Sequence, residues 1–248
     1  GYIDWILYAF PMVLVMIPLT TLILLRVFKP EVKDLSVAMK SIEKEVGDKG
    51  KMGENEWLSI GIFFVTLIMW ITVGETIGLG FVAIIGATLF IIFKLVDWND
   101  YNRGTDWGVV LLYAGAISLG LAMKNTGAAR WLAESFLTVL TPIGADSGLL
   151  LVAAVSILVM IVSNTMSDGA AVAVTGPITL NMAAISATSL MSVGFATAIS
   201  SAFAYLLVVG TPSNAIIYAS GYIRSTDFVK AGSLMAVMSI AVLLIMAM

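Results

Sequence analysis

Two short polar interruptions lie inside apolar stretches toward the end of the chain. One is Ser163-Asn164-Thr165, and the other is the run Gly-Thr-Pro-Ser-Asn at residues 210–214. Both stand where an uninterrupted membrane helix is expected. A break in such a helix frees backbone N–H and C=O groups, and it is tolerated only where it is buried in protein or lines a cavity. Two such breaks in one chain point to the binding site of a transporter.

The composition predicts an integral membrane protein and excludes several kinds of chemistry. Hydrophobic residues make up 60% of the chain and charged residues 12%, whereas a soluble globular protein has about twice that charged fraction. There is no cysteine and no histidine, which removes Cys or His metal sites and His-based catalytic triads. No nucleophile–base pair or basic patch is present either. We therefore predict no enzyme, no organic cofactor and no nucleic-acid partner.

The apolar runs predict an all-α polytopic membrane protein in contact with lipid. A bilayer core needs about 20 apolar residues per helix. The predicted spans are residues 5–28, 57–74, 77–96, 107–124, 192–209, which breaks at 210 and resumes over 213–219, and 227–248. A short amphipathic stretch at 128–140 carries Arg130 and Glu134 among apolar residues, which predicts a helix lying in the membrane interface.

A re-entrant helical hairpin is predicted around the first interruption. Residues 148–162 are apolar and stop at Ser163, which at 1.5 Å per residue gives about 23 Å, short of a full crossing. A second short apolar run, 169–176, is ended by Pro177. The pair predicts a hairpin with residues 163–168 at its tip.

The distribution of charge predicts the orientation of the chain. Between Arg26 and Glu56 lie seven basic and seven acidic residues, which predicts a solvated linker with a helix around residues 32–46. The positive-inside rule places this linker in the cytoplasm and the chain in the cell (inner) membrane. Eleven basic residues then lie inside and two outside, if the hairpin enters and leaves from the outside. An ordinary pair of crossings gives the same parity, so the short lengths carry the distinction.

A weak internal similarity suggests an inverted repeat. Asp4-Trp5-Ile6 resembles Asp227-Phe228-Val229, and each run opens an apolar helix. The two helices are predicted to cross in opposite directions, as in inverted-topology repeats. We therefore expect half of an inverted-repeat transporter, with the first repeat on a preceding segment or on a separate subunit.

Broken helices offer partial charges of both signs to ligands. The ends of 148–162 and 192–209 expose carbonyl groups that suit Na⁺, while the starts of the following half-helices expose N–H groups that suit a carboxylate or sulfate. The predicted Na⁺ ligands are the Asn164 side-chain oxygen and carbonyls near Val162 and Gly210. The predicted anion-binding residues are Ser163, Asn164, Thr165, Thr211, Ser213 and Asn214. Asn, Thr and Ser are also good helix caps, and capping accompanies binding in this prediction.

The two interruptions together resemble those of the divalent-anion:sodium symporter family, within the ion transporter superfamily. Ser163-Asn164-Thr165 is paired with the Gly-Thr-Pro-Ser-Asn run about 45 residues later, and the run from Asp106-Trp107-Gly108 to Thr126-Gly127 is similar to the family's helix before the hairpin. The resemblance covers residues 106–248 and extends more loosely to residue 1. It implies the second of two inverted repeats.

The resemblance implies a homodimeric secondary transporter that works by alternating access. Its implied activity is sodium-coupled symport of a divalent anion such as a C4-dicarboxylate, citrate or sulfate. The implied divisions are a first helix (1–28), a cytoplasmic linker helix (29–56), scaffold helices (57–124), an interfacial helix (125–147) and a transport domain (148–248).

Asp168 departs from the family pattern, which has small neutral or hydroxyl residues at this point of the hairpin tip. The carboxylate can bind Na⁺, take a proton or cap the following helix. A proton-coupled or exchange transporter using Asp168 is therefore an alternative. A second alternative is a non-transporting scaffold subunit.

Overall fold

The computed structural model describes residues 2–28, 36–49 and 51–247, which form helices and short connections. Among these residues there are thirteen α-helices, two short 3₁₀ helices (Thr141–Ile143 and Val208–Gly210) and no strand. The helices are α1 (Tyr2–Val27), α2 (Ser36–Lys49), α3 (Glu54–Thr72), α4 (Gly74–Ile77), α5 (Leu79–Ile92), α6 (Trp98–Gly104), α7 (Trp107–Thr126), α8 (Ala128–Leu140), α9 (Gly148–Thr165), α10 (Asp168–Ile185), α11 (Leu190–Ser201), α12 (Pro212–Ala219) and α13 (Ser225–Met246). The predicted all-α class is confirmed.

Four of the described helices are long and apolar enough to cross a membrane. They are Ile3–Val27, Glu54–Thr72, Gly148–Thr165 and Ser225–Met246. This supports a multi-pass membrane protein.

Several predicted boundaries differ from the structure. The predicted span 77–96 is too long, because α5 begins only after Gly78, at φ +91°, and ends before Lys94, at φ +56°. Left-handed backbone conformations of this kind interrupt a helix. The linker helix predicted at 32–46 is helical from Ser36 and continues to Lys49, and residues 29–35 lie outside the described part of the chain.

Contacts divide the chain into two compact units. The first comprises residues 1–8 and 29–106, and the second comprises residues 9–28 and 107–248. The predicted scaffold, 57–124, is therefore shared between the two units, and its role as a scaffold stays a prediction.

The first unit is built on the pairing of α3 and α5. Gly86 allows this close approach, because a Cβ at this position would lie 2.7 Å from Thr66 Oγ1. The Trp70 indole N–H donates to the Leu79 carbonyl oxygen at 3.0 Å, which ties the start of α5 to the end of α3.

The second unit is centred on α9, α10 and α11, which pack together around the hydrophobic core. Leu151, Val155 and Val159 of α9 are fully buried, together with Val193 of α11. Because α9 is apolar and contacts neighbours along its length, it acts as the central helix of this unit.

The predicted amphipathic helix at 128–140 coincides with α8. Its buried residues, Ala129, Ala133 and Leu137, recur every four positions, which is the spacing of one helix face. α8 packs against α10. Arg130 and Glu134 lie on the exposed side, with 2.9 Å between Nε and Oε1.

The two arms of the predicted hairpin are longer than the sequence suggested. α9 and α10 each contain 18 residues, or about 27 Å, and are joined by Met166 and Ser167. The predicted stop at Ser163 is wrong. Its hydroxyl and the Asn164 amide both donate to the Met160 carbonyl oxygen, at 3.0 and 2.8 Å, and such back-bonding is compatible with continued helix. The length argument for a re-entrant hairpin therefore no longer holds.

Pro177 does not end the second arm either, since α10 runs through it to Ile185. A proline removes one backbone donor and crowds the carbonyl four residues earlier, but packed neighbours make this tolerable in a membrane helix. Here Asn181 Nδ2 donates to the Pro177 carbonyl oxygen at 2.7 Å. Gly120 of α7 faces the ring, because a Cβ there would lie 3.3 Å from Pro177 Cγ.

Candidate functional site

A long non-helical segment separates α11 from α12. α11 ends at Ser201 and α12 begins at Pro212, so the break covers residues 202–211. The predicted span 192–209 is therefore wrong at its end, and the break begins well before Gly210. Residues 203–207, Phe-Ala-Tyr-Leu-Leu, are apolar, and nothing in their pattern marks them as non-helical.

The side-chain amide of Asn164, at the end of α9, holds the first part of this break. Its Nδ2 donates to the Phe203 carbonyl oxygen at 3.3 Å. Its Oδ1 accepts from the backbone N–H groups of Leu206 and Leu207 at 2.8 and 3.2 Å. Asn164 is only 3% exposed. The amide thus replaces helix hydrogen bonds that the break has lost, which is what non-helical backbone in a membrane protein requires.

A second asparagine holds the break from the other side. Asn214 Nδ2, in the first turn of α12, donates to the carbonyl oxygens of Ala204 and Leu207, at 2.8 and 3.1 Å. Thr211 caps α12 by accepting from the Asn214 N–H at 3.2 Å, and Pro212 follows as the first helical residue. This is a favoured helix start, so the predicted capping roles accompany the contacts to the break.

Glycine allows the break to approach the end of α9 closely. A Cβ on Gly210 would lie 3.1 Å from Ala204 Cβ and 3.5 Å from Asn164 Cα. The structure therefore brings together the Ser-Asn-Thr turn and the Gly-Thr-Pro-Ser-Asn run, as the sequence predicted.

Tyr205 anchors the middle of the break on α13, a contact that the sequence did not predict. A Cβ on Gly232 would lie 2.3 Å from the Tyr205 carbonyl oxygen, so only glycine fits there. The phenol oxygen lies 3.4 Å from Ser239 Oγ, and the ring stacks on Phe203 with centroids 5.9 Å apart. No sequence pattern links Tyr205 to these partners, because they are separated by long stretches of chain.

Two buried side-chain oxygens in the described part of the chain have no hydrogen-bond partner, and both are near this break. They are Asp168 Oδ1, at the hairpin tip, and Ser200 Oγ, in the last turn of α11. Ser200 is fully buried. Unpaired buried polar atoms are costly and call for a physical explanation. Oxygen atoms that lack partners suit a hard cation such as Na⁺, so these residues fit a coupling ion.

The predicted site residues differ in accessibility. Ser163 and Asn164 are buried, Thr211 and Asn214 are half-buried, and Thr165 and Ser213 are exposed. The Thr165 hydroxyl donates to the Val162 carbonyl oxygen at 2.8 Å. Because Thr211 Oγ1 accepts from a backbone N–H, its own proton is available to a ligand. The hydroxyls best placed to bind an anion are therefore those of Thr211 and Ser213.

The whole chain, residues 1–248, matches the family described as the sodium:sulfate symporter transmembrane region. The chain belongs to this family. It is 27% identical to the sodium-dependent dicarboxylate transporter SdcS of Staphylococcus saprophyticus, over 99% of this chain and 50% of that protein. The SdcS of Staphylococcus aureus is also 27% identical, over 94% of this chain and 47% of its own.

A third relative is an uncharacterized transporter of Haemophilus influenzae, 27% identical over 97% of this chain and 53% of that protein. The chain thus spans about half the length of these relatives. The predicted family is confirmed, and the family and these relatives are transporters rather than enzymes.

Proposed function

We propose that this chain carries out sodium-coupled symport of a divalent anion, such as a C4-dicarboxylate, citrate or sulfate, by alternating access. The observation that carries the proposal is the docking of the α9 end on the 202–211 break, beside two unpartnered buried oxygens. Family membership and the relatives named sodium-dependent dicarboxylate transporters support the ion and the class of substrate.

In this proposal the Na⁺ site uses backbone carbonyls at the ends of α9 and of the break, near Val162 and Gly210. Helix carboxyl ends carry partial negative charge, which favours a cation. Asn164 Oδ1 already accepts two backbone N–H groups. We therefore assign Asn164 the role of positioning these carbonyls, rather than the ligand role expected from the sequence.

The anion in this proposal binds at the amino ends of α10 and α12, where free N–H groups and the helix dipoles favour negative charge. Thr211 and Ser213 supply hydroxyl donors, and Ser163 and Thr165 line the facing end of α9. Asn214 shapes this pocket by holding the break. Cation and anion then lie side by side, and each stabilises the other.

The charges explain why sodium is needed. Carrying a dianion into a cell at −100 mV costs about 4.6 kcal/mol, since each elementary charge is worth about 2.3 kcal/mol. Two co-transported Na⁺ cancel this cost, and a third adds net driving force.

Contacts with α13 support a position of the break inside the membrane. α13 has 22 residues, or about 33 Å, enough to cross the bilayer. Tyr205 meets it at Gly232 and at Ser239, about 11 and 21 Å from its start. If α13 crosses the bilayer, the break and the attached hairpin tip lie within the hydrocarbon layer. This makes the α9–α10 pair re-entrant.

The remaining parts of the proposal concern assembly. Because the chain spans about half the length of its relatives, we propose that an inverted first repeat, on the same protein or on a partner, completes the substrate pocket. A homodimer in the cell (inner) membrane, with the 29–56 linker in the cytoplasm, completes this arrangement.

Uptake into liposomes tests the proposal. The reconstituted chain should accumulate labelled succinate, citrate or sulfate when Na⁺ is present outside, and choline should abolish the uptake. Uptake that is unchanged in choline would refute sodium symport and favour the proton-coupled or exchange alternative based on Asp168. An absence of uptake, with no thermal stabilisation by Na⁺ or by the anions, would favour the non-transporting subunit.

A further inference from the structure

Asp168 has no structural task that accounts for its carboxylate at the hairpin tip. The cap of α10 is Ser167, whose side-chain oxygen accepts from the Ala170 N–H at 3.4 Å. The alternative that Asp168 caps the helix is therefore wrong. Its carboxylate interacts with its own backbone N–H, while Oδ1 is buried without a partner. An unpaired ionisable group inside a membrane protein is expensive and points to a function.

Tyr205 lies within electrostatic range of Asp168 and offers an oxygen atom toward the same region. Ser239 Oγ is 3.4 Å from the Tyr205 phenol oxygen and 3.8 Å from Met16 Sδ. Serine has one proton and a thioether can only accept, so both contacts are satisfied when Ser239 donates to Met16 and Tyr205 donates to Ser239. The Tyr205 oxygen then has lone pairs, and no proton, for another ligand.

Two oxygens from different elements thus share one region without a hydrogen between them. Tyr205 does not bond to Asp168 Oδ1 directly, because that atom has no hydrogen-bond partner. The Tyr205 side chain is also held in place, by its stacking on Phe203 and by the contact with Ser239. A carboxylate and a phenol oxygen arranged in this way repel each other unless a cation lies between them.

We propose that Asp168 and Tyr205 bind a Na⁺ ion of their own, separate from the ion held by the carbonyls near Val162 and Gly210. This inference rests on the proposed function and deepens it, because it assigns a further coupling ion to this chain. Carboxylate and hydroxyl oxygens are the ligands that hard cations take. The ion also links the hairpin tip to the break, since its two ligands belong to one element each.

Equilibrium binding of radioactive Na⁺ to the purified full chain tests this site without any transport measurement. Asp168→Asn should lower the number of Na⁺ bound at saturation by one per chain. Tyr205→Phe keeps the stacked ring and should raise the Na⁺ concentration that half-fills this site by about tenfold, the effect of one lost ligand. The matched control is Asp146→Asn, which removes another half-buried carboxylate at the opposite end of the hairpin and should bind like the wild type.

Thermal unfolding without Na⁺ checks the fold of the variants. Asp168→Asn should unfold at the same temperature as the wild type or higher, because it removes a charge that lacks a partner. If it misfolds, Tyr205→Phe still decides the question through its affinity.

The outcomes separate this site from the proposed function. If the wild type binds Na⁺ and Asp168→Asn and Tyr205→Phe bind it identically, the site is overturned and the symport proposal stands. An unchanged Na⁺ count with a lost pH dependence of binding assigns a proton to Asp168 and also overturns the site. A wild-type chain that binds no Na⁺ refutes both proposals.

Discussion

Replacing Asn164 by aspartate separates a positioning role from a ligand role at the end of α9. The change keeps Oδ1, which accepts from Leu206 and Leu207, and turns the donor Nδ2 into an oxygen. That donor serves the carbonyl oxygens of Met160 and Phe203, at 2.8 and 3.3 Å. If Asn164 were mainly a Na⁺ ligand, a carboxylate would bind the ion as well or more tightly. If it positions the break, the variant should lose Na⁺ affinity.

The structure sets the size of the expected loss. Each carbonyl keeps one other donor, since Met160 accepts from the Ser163 hydroxyl at 3.0 Å and Phe203 from the Tyr205 N–H at 2.9 Å. The cost is therefore that of two lost hydrogen bonds rather than two orphaned acceptors, or about 2 kcal/mol. The new oxygen also repels both carbonyls. We expect Na⁺ affinity to fall roughly thirtyfold or more.

Na⁺-dependent thermal stabilisation of the purified chain measures this effect. Asn181→Asp is a matched control, because Asn181 is a half-buried residue of α10 whose amide makes one similar bond, to the Pro177 carbonyl oxygen at 2.7 Å. It should cost about 1 kcal/mol in stability and leave Na⁺ affinity unchanged. Wild-type or tighter Na⁺ binding by Asn164→Asp would refute the positioning role and restore Asn164 as a ligand.

Three further changes test the break and the anion site. Gly232→Ala places a Cβ 2.3 Å from the Tyr205 carbonyl oxygen and should abolish Na⁺ binding, whereas Gly194→Ala, whose Cβ meets its nearest neighbour at 3.6 Å, should not; equal behaviour would contradict the α13 contact. Thr211→Val should weaken anion binding and cost about 1 kcal/mol in stability through the lost cap, and Thr211→Ser should restore both. Because the chain has no cysteine, Ser213→Cys should be the one site of thiol labelling, and Na⁺ with a transported anion should slow its modification; a rate that ignores both ligands would place Ser213 outside the site.

The sequence was sufficient to predict the helices that depend on local patterns. The amphipathic period of residues 128–140 gave α8 with its bounds, because one face of a helix is visible in the spacing of apolar residues. The long apolar runs near both ends gave α1 and α13 to within a few residues. The two polar interruptions also identified the right region for the site.

Local pattern failed where distant contacts decide the structure. Ser163 and Pro177 look like helix ends, yet α9 and α10 continue through them because packing and back-bonding outweigh the local signal. Residues 203–207 look helical, yet they are non-helical because Asn164 and Asn214 supply bonds from other parts of the chain. Neither effect can be predicted from a short window of sequence.

The cross-links across the break constrain how the proposed transport cycle can proceed. Asn164 ties the break to α9, Asn214 ties it to α12, and Tyr205 ties it to α13. In a membrane interior no water replaces these bonds, so separating any pair leaves backbone groups unsatisfied. Loss of the Asn164 bonds alone would expose the Leu206 and Leu207 N–H groups and part of the Phe203 carbonyl. If transport proceeds by alternating access, the hairpin tip, the break and α13 must therefore move as one body, and the surface that slides must lie outside this set of contacts.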